Sequence, residues 1–533
     1  MVGTANQPER RAVPRTLTKT PRRDPRLWLP IERRFMSTAT LSDEASASPF
    51  QGVRDDASQH AADPAAKVAS ATGSALRLEV IRLAWPVVVE QLLQTTVAIA
   101  DVAITGRLGT TALAGSGVAL QVFFVVLSGL MSVGIGTTVL VAQATGAKSP
   151  ERAASAVRQG VSIGAILSVL LTVVGIALAG PAVALGGATG DVADTAMTFL
   201  VVSMFGLVPL TIQIAISGAM RGAGDSRTPM IAGAIANAIN IAAAWGLAFG
   251  TWGLPEMGIV GAAWGGNIAR IVGAVFLAVM LFRSSTPVGI RLGKGSPSGH
   301  AGWVPNLEVG RQFLTLSLPA VIEQLSFSLM FLVFGRILLS LGTTVLGAQR
   351  IAFSAGSLAW LPSIGVMIAT TSLVGQAIGA RDHDRAAAVT RFGQQLAAGW
   401  MVVMAFVFAV FGSALAGAFT TDEATVLEAS RGLLAFAPGM PIIGMGFVLG
   451  GALRGVGDTR FPMVASIATG WLIILPVAWV CASVLGWGLP GAVAGFSLSS
   501  VVNFAALRWR FSRGDWRNGS GAPTGMPAFA GME

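Results

Sequence analysis

The sequence predicts an all-α membrane protein with twelve transmembrane helices, arranged as two parallel six-helix lobes around a central cavity. Of its 533 residues, 53% are hydrophobic and only 12% are charged, whereas soluble domains carry about 25% charged residues. Apolar segments long enough to cross a bilayer recur from Leu83 onward. An internal repeat divides these segments into two sets. This combination excludes a cytosolic enzyme, a secreted disulfide-stapled protein and a disordered chain.

The predicted elements follow one another with short connections. Twelve spans are expected to start near residues 83, 117, 158, 195, 229, 258, 313, 349, 388, 431, 462 and 488. They form a first lobe at 79–283, a linker at 284–312 and a second lobe at 313–511, which is followed by a cytoplasmic tail at 512–533. Residues 1–78 are basic and then rich in Ala, Ser and Asp, which is typical of a disordered cytoplasmic tail. Met36 is an alternative start within this tail.

The charge pattern predicts the orientation in the membrane. Lys and Arg are concentrated in alternate loops, and such loops stay on the cytoplasmic side. We therefore expect a multi-pass protein of the plasma (inner) membrane with both termini in the cytoplasm. The net charge of +10 is explained by this topology, so nucleic acid is not an expected partner. Cys481 is the single cysteine, which excludes an intramolecular disulfide.

The internal repeat is clearest in two loop sequences. Residues 218–230 read GAMRGAGDSRTPM and residues 451–463 read GALRGVGDTRFPM, with nine of 13 positions identical at an offset of 233. The same offset maps Glu90-Gln91-Leu92 onto Glu323-Gln324-Leu325, and residues 143–147 onto 376–380. Because each copy contains an even number of spans, the chain returns to the same side of the membrane after the first copy. The two halves therefore have the same orientation. Two such halves predict a rocking transporter whose site lies between them near the midplane.

The two loops allow two interpretations. Their charged residues can cap helices and hold the loops in the cytoplasm, or they can form a latch that breaks and reforms as the halves rock. These gate or latch candidates are Arg221, Asp225, Arg227, Arg454, Asp458 and Arg460. Gly146 and Gly379 are expected to be helix C-caps. The loop glycines lack the Lys-Ser/Thr of a phosphate-binding loop, so transport is expected to depend on an ion gradient or on a partner.

Few charged residues fall at membrane depth, and each is a functional candidate because burial there is costly. They are the acids Glu90, Asp101 and Glu323 and the base Arg270. At 100° per residue, Gln94 and Asp101 lie about 40° and about 20° from Glu90 around the helix axis, so all three share one face.

In the second half, the repeat positions of Glu90, Gln94 and Asp101 are Glu323, Phe327 and Phe334. The first half is therefore suited to a cation, and the second half to an apolar wall.

The rise per residue places Arg270 nearer to Glu90 than to Asp101 in depth. A nearby cation favours the ionised form of a carboxyl group. We therefore expect Arg270 to hold Glu90 ionised, and Asp101 to take up and release the coupling cation. No cluster of His, Asp and Glu at one depth indicates a membrane enzyme or a metal site, and no cofactor is expected.

The sequence resembles the multidrug and toxic compound extrusion (MATE) family, and within it the DinF-like branch. The resemblance covers about residues 79–511. It rests on Asp101 followed by Gly106-Arg107-Leu108-Gly109, on two Gln-Ala-x-Gly-Ala helix ends and on the two RGxGDxRxP loops. It implies a twelve-span antiporter with two lobes facing a V-shaped cavity, which exports amphipathic, often cationic compounds in exchange for protons or sodium.

The resemblance also implies site residues. Asp101 matches the acid implicated in coupling in the DinF-like branch, and Asn240 matches an Asn of the fifth span. Ala244 stands where many members have Asp, and Phe327 replaces the Glu of sodium-coupled and eukaryotic members. These departures favour proton coupling through the first half, with Glu90, Gln94 and Arg270 completing the cation-coupling site. The predicted substrate-cavity residues are Asn237, Asn240, Glu323, Phe327 and Phe334.

The predicted function is secondary active antiport of drugs and toxins against protons by rocking-bundle alternating access. The expected partners are small amphipathic molecules, the proton and the lipid bilayer. Two alternatives remain: a sodium-coupled exporter, and a flippase for lipid-linked or polysaccharide precursors, which would favour a cavity lined by several Arg.

Overall fold

The computed structural model describes residues 64–283, 307–514 and 516 of the chain. These residues form helices and connecting turns, with no strand among them. Eleven of the described helices are long and apolar enough to cross a membrane, and a twelfth span is a helix pair bent by 49°. The predicted all-α architecture of twelve spans is confirmed.

The first lobe contains six spans and one short helix. The bent span consists of α5 and α6, and α4 is too short to cross a bilayer. The helices are α1 (Pro64–Arg107), α2 (Thr110–Gly146), α3 (Pro150–Ala177), α4 (Ala179–Leu185), α5 (Asp191–Met204), α6 (Leu207–Gly222), α7 (Arg227–Phe249) and α8 (Gly258–Phe282).

The second lobe repeats this order. A 3₁₀ turn joins α12 to α13, and π turns follow α14 and α15, so each group forms one span. The helices are α9 (Leu307–Leu339), α10 (Thr343–Gly379), α11 (His383–Gly417), α12 (Glu423–Phe436), α13 (Met440–Val456), α14 (Arg460–Thr469), α15 (Leu475–Trp479) and α16 (Gly488–Ser512).

The boundaries differ from the prediction at both lobes. Helix α1 begins at Pro64, inside the segment assigned to the N-terminal tail, and α9 begins at Leu307, inside the segment assigned to the linker. Residues 1–63, 284–306, 515 and 517–533 of the predicted tails and linker lie outside the described residues. In the predicted C-terminal tail, the Trp516 indole donates a hydrogen bond to the Phe511 carbonyl at 2.8 Å.

The lobes meet at one end of the bundle, which we call the basic end. It carries the turns after α2, α6, α10 and α13, the loops that are rich in Lys and Arg. Both lobes belong to one compact unit that begins at Lys67. The first helix of each lobe packs against the other lobe here: Leu83 of α1 joins a core with Leu373, and Phe313 of α9 joins a core with Val133. Toward the opposite end, α1 and α9 pack within their own lobes.

Candidate functional site

Three helices of the first lobe meet at Asp101. The residue lies on α1, six positions before the helix ends at Arg107. Its half-buried carboxylate lies near the Asn240 side-chain amide of α7 and within electrostatic range of the Arg270 guanidinium of α8, without a direct ion pair between Asp101 and Arg270. The structure therefore brings together Asp101, Asn240 and Arg270, two of which were assigned to coupling and one to the cavity.

Small residues allow α7 and α8 to approach closely behind this cluster. A Cβ atom at Gly265 would lie 2.4 Å from the Ala244 Cα, and one at Gly261 would lie 2.3 Å from the Leu247 carbonyl oxygen. Ala244 is buried in this contact. Ala244, the position where the family resemblance leads us to expect Asp, is thus a packing position in this chain.

Arg270 is held by the bend in the neighbouring span. Its Nη1 donates to the Asn267 Oδ1 at 3.0 Å and to the Ser203 carbonyl at 3.4 Å, and Asn267 donates to the Val202 carbonyl at 2.7 Å. Ser203 and Val202 lie in the last turn of α5, where their carbonyl groups also accept the backbone N–H groups of Gly206 and Phe205. The guanidinium also lies 4.8 Å from the centre of the Phe123 ring. Arg270 therefore stabilises the bend and faces Asp101.

The predicted pairing of Arg270 with Glu90 is wrong. Glu90 accepts hydrogen bonds from the Arg221 Nη2 at 2.7 and 2.9 Å. Helical side chains lean toward the N-terminus of their own helix. Arg221 is in the last turn of α6 and so points back into the bundle, whereas Arg270 points toward the end of the bundle where Asp101 lies.

The same ion pair occurs in the second lobe. Arg454, in the last turn of α13, donates to both carboxylate oxygens of Glu323 at 2.9 and 2.7 Å. Glu323 is the repeat counterpart of Glu90, and Arg454 is the repeat counterpart of Arg221. Glu323 is thus an ion-pair partner and not a free acid of the substrate cavity.

The other predicted cavity residues fall into two groups. Gln94 is exposed, Phe327 is 48% exposed, and both are available to a cavity wall. Phe334 is fully buried in an aromatic core, with the Phe496 ring 5.1 Å away, so its assignment to the cavity is corrected. Asn237 is half-buried, and its Nδ2 has no hydrogen-bond partner among the described residues.

The charged side chains of the repeated loops make their contacts within their own lobes. Asp225 accepts from the backbone N–H groups of Arg227 and Thr228 and caps the start of α7. Asp458 accepts from the Phe461 N–H and from the Arg510 Nε at 2.9 Å. The Arg227 guanidinium lies 6.0 Å from the Trp85 ring centre. Arg460 is exposed. These contacts match the capping interpretation of the loops and not a latch of charged side chains.

Contacts between the lobes use amide side chains that the sequence reasoning missed. The Gln143 Nε2 donates to the Gly455 carbonyl at 3.1 Å, and the Gln376 Nε2 donates to the Gly222 carbonyl at 2.8 Å. All four residues are related by the repeat offset. The signal was present in the two Gln-Ala-x-Gly-Ala helix ends, which were interpreted only as helix C-caps.

Gly146 and Gly379 have a different role from the one predicted. The C-cap positions are Ala147 and Ala380. A Cβ atom at Gly146 would lie 1.9 Å from the Gln376 carbonyl oxygen, and one at Gly379 would lie 2.0 Å from the Gln143 carbonyl oxygen. The absence of a side chain lets α2 and α10 cross with their backbones in contact.

Comparison with known proteins places the chain in a family. The family model MatE matches residues 86–245 and 319–480, one stretch in each lobe. The chain belongs to the MatE family. It is therefore a membrane transporter and not an enzyme, as the sequence predicts. The assignment to the DinF-like branch stays a prediction.

Individual relatives cover nearly the whole transporter. The chain is 31% identical over 448 residues to the probable multidrug resistance protein NorM of Thermotoga maritima, a match that covers 83% of this chain and 93% of the relative. It is 30% identical to the probable multidrug resistance protein NorM of Bradyrhizobium diazoefficiens, over 81% of this chain and 92% of the relative. A crystal structure of MATE in the straight conformation has a TM-score of 0.76 at 21% identity, and the match covers 83% of this chain and 97% of that chain.

Proposed function

We propose that this chain is a secondary active antiporter that exports amphipathic, often cationic drugs and toxins in exchange for protons, by alternating access between two lobes. The observation that carries the proposal is the asymmetry of the repeat. In the first lobe Asp101 faces Asn240 and Arg270, whereas its counterpart Phe334 lies inside an aromatic core. One lobe supplies an ionisable group, and the other supplies apolar packing.

The surroundings of Asp101 favour a proton over a metal cation. A hard cation needs several oxygen ligands, and Ala244 offers none where many family members are expected to carry a carboxylate. Arg270 adds a fixed positive charge beside the carboxylate, which opposes a second cation. A proton needs one carboxylate oxygen. Protonation of Asp101 removes the negative charge that attracts Arg270 and so weakens the electrostatic attraction between α1 and α8.

The relatives and the apolar wall support the proposed substrate class. Two relatives are named as probable multidrug resistance proteins. The exposed Phe327 ring presents an apolar surface that accepts many shapes. The concentration of Lys and Arg at the basic end supports a plasma-membrane orientation with this end and both termini in the cytoplasm.

The test is transport by the purified protein in proteoliposomes. Efflux of a fluorescent lipophilic cation is followed under an imposed pH gradient, with and without sodium. We expect the pH gradient alone to drive efflux. Asp101→Asn should abolish this efflux, and Asp101→Glu, which keeps the carboxyl group, should retain part of it. The matched control is Asp194→Asn, which removes an exposed acid from the first turn of α5.

Three results would contradict the proposal. Efflux driven only by sodium would indicate the sodium-coupled exporter. Full proton-driven efflux by Asp101→Asn would remove Asp101 from the coupling site. A protein that moves no cationic dye, but does translocate a lipid-linked saccharide, would be the flippase.

A further inference from the structure

Several contacts join the two lobes at the basic end, among them the Arg385–Glu79 ion pair at 2.7 Å and two symmetric hydrogen bonds. Gln143 of the first lobe donates to the Gly455 carbonyl of the second, and Gln376 of the second lobe donates to the Gly222 carbonyl of the first. We call these two hydrogen bonds the gate contacts. Both acceptors are carbonyl groups near a helix C-terminus, which lack a helical partner. The Gln143 and Gln376 amides supply that missing donor across the lobe boundary.

The residue directly before each acceptor glycine is an arginine whose side chain is held by an ion pair. Arg221 precedes Gly222 and binds Glu90 of α1 at 2.7 Å. Arg454 precedes Gly455 and binds Glu323 of α9, also at 2.7 Å. The ends of α6 and α13 are thus fixed to the first helix of their own lobe at the residue before the gate carbonyl.

The first lobe has an additional connection. The Ser372 hydroxyl of the second lobe donates to the carbonyl of Arg221 itself. Its repeat counterpart is Val139, which has no hydroxyl group. The Arg221-Gly222 segment therefore accepts hydrogen bonds from two side chains of the other lobe, while its guanidinium binds Glu90.

We propose that Glu90 and Glu323 are positioning residues for a gate at the basic end. They hold Arg221 and Arg454 so that the carbonyl of the following residue, Gly222 or Gly455, can accept a hydrogen bond from a glutamine amide of the other lobe. These hydrogen bonds close the transport pathway at the basic end. Glu90 shares α1 with Asp101, so the Glu90–Arg221 pair connects the proposed coupling helix to the gate. This last step rests on the proposed function; the gate itself does not.

The gate can be tested by cysteine labelling without substrate or ion gradient. Cys481 is replaced by Ala, and Ser317→Cys places a thiol at the lobe interface, where Ser317 is buried and its hydroxyl binds the Ser132 carbonyl. The reaction of this thiol with a membrane-impermeant maleimide is measured in lipid nanodiscs, which expose both ends. Gln143→Glu and Gln376→Glu keep the side-chain shape but remove the N–H donors. Each should raise the labelling rate roughly two- to tenfold, the range expected for the loss of one hydrogen bond.

The matched control is Gln394→Glu. Gln394 is buried on α11, and its Nε2 has no hydrogen-bond partner among the described residues. The control should label at the parent rate, within about twofold. If Gln143→Glu and Gln376→Glu label no faster than Gln394→Glu, the gate contacts do not hold the lobes together.

The positioning role is tested in the same background. Glu90→Gln and Glu323→Gln should each raise the labelling rate, and the charge reversal Glu90→Arg with Arg221→Glu should return it toward the parent value. If the reversed pair labels at least as fast as either single variant, the Glu90–Arg221 pair does not position the gate, and that result would overturn the proposal. Because the readout needs no transport, a failure here is distinct from a failure of proton coupling.

Discussion

Adding one methyl group at the crossing of α2 and α10 should open the basic end. In Gly146→Ala the new Cβ would lie 1.9 Å from the Gln376 carbonyl oxygen, whereas ordinary van der Waals contact begins at 3.4 Å. The helices must therefore separate by about 1.5 Å at this point. Such a shift would lengthen the Gln376–Gly222 hydrogen bond from 2.8 Å to beyond the distance at which it holds.

The expected size of the effect follows from packing energetics. Overpacking of a close contact costs roughly 1–3 kcal/mol, which corresponds to a roughly 5- to 150-fold shift between the closed and open states of the gate. Gly379→Ala should act in the same direction, since its Cβ would lie 2.0 Å from the Gln143 carbonyl oxygen. The two effects should not add, because both substitutions separate the same pair of helices.

The assay is the distance between spin labels on the two lobes. Lys148 and Arg381 are exposed repeat counterparts in the turns after α2 and α10, and cysteines at these positions in a cysteine-free background carry the labels. Gly146→Ala should move a large part of the distance distribution to longer values. Gly399→Ala is the control, since its Cβ would have no neighbour within 4 Å. A Gly146→Ala distribution that matches Gly399→Ala would refute the role assigned to the crossing.

Two further predictions concern the second lobe. Phe334→Ala should lower the free energy of unfolding by roughly 3 kcal/mol because it removes a fully buried ring. Phe327 is half-exposed, so Phe327→Ala should change the thermal midpoint little and should reduce dye efflux. Equal losses of stability in the two variants would contradict the assignment of Phe334 to the core. Asp422 caps α12 by accepting from the Thr425 N–H and hydroxyl, which hold the pKa of Asp422 below its usual range. Its contribution to stability should therefore be complete above the usual aspartate pKa and be lost as the pH falls through the lowered value. Asp422→Asn should remove this part of the pH dependence of the thermal midpoint, and an unchanged pH profile would show that the cap does not titrate.

The sequence identified most residues of the candidate site but not the contacts between them. Depth in the membrane and the helical face identified Glu90, Asp101 and Arg270, and the family resemblance added Asn240. The pairing of Arg270 was wrong because depth was counted along helix axes alone. A long arginine side chain that leans toward its helix N-terminus reaches a different level from its own Cα atom.

Other errors arose from treating helix ends as loops. Arg221 and Arg454 were assigned to cytoplasmic loops, but α6 and α13 continue through Gly222 and Val456, so both side chains point back into the bundle and bind acids there. Glycine at positions 146 and 379 is compatible with a helix C-cap and equally with a close helix crossing. Sequence alone does not distinguish these two uses of glycine.

The sequence by itself determined the membrane setting, the number of spans, the duplication and the family. These properties depend on the length of apolar segments and on residues at a fixed offset, both of which are read along the chain. The tertiary structure decided which arginine neutralises each buried acid, which aromatic residue is core and which is wall, and that amide side chains join the lobes together with the Arg385–Glu79 ion pair. These outcomes depend on side-chain direction, on the bend between α5 and α6 and on the distance at which α2 and α10 cross, and they arise only when helices pack.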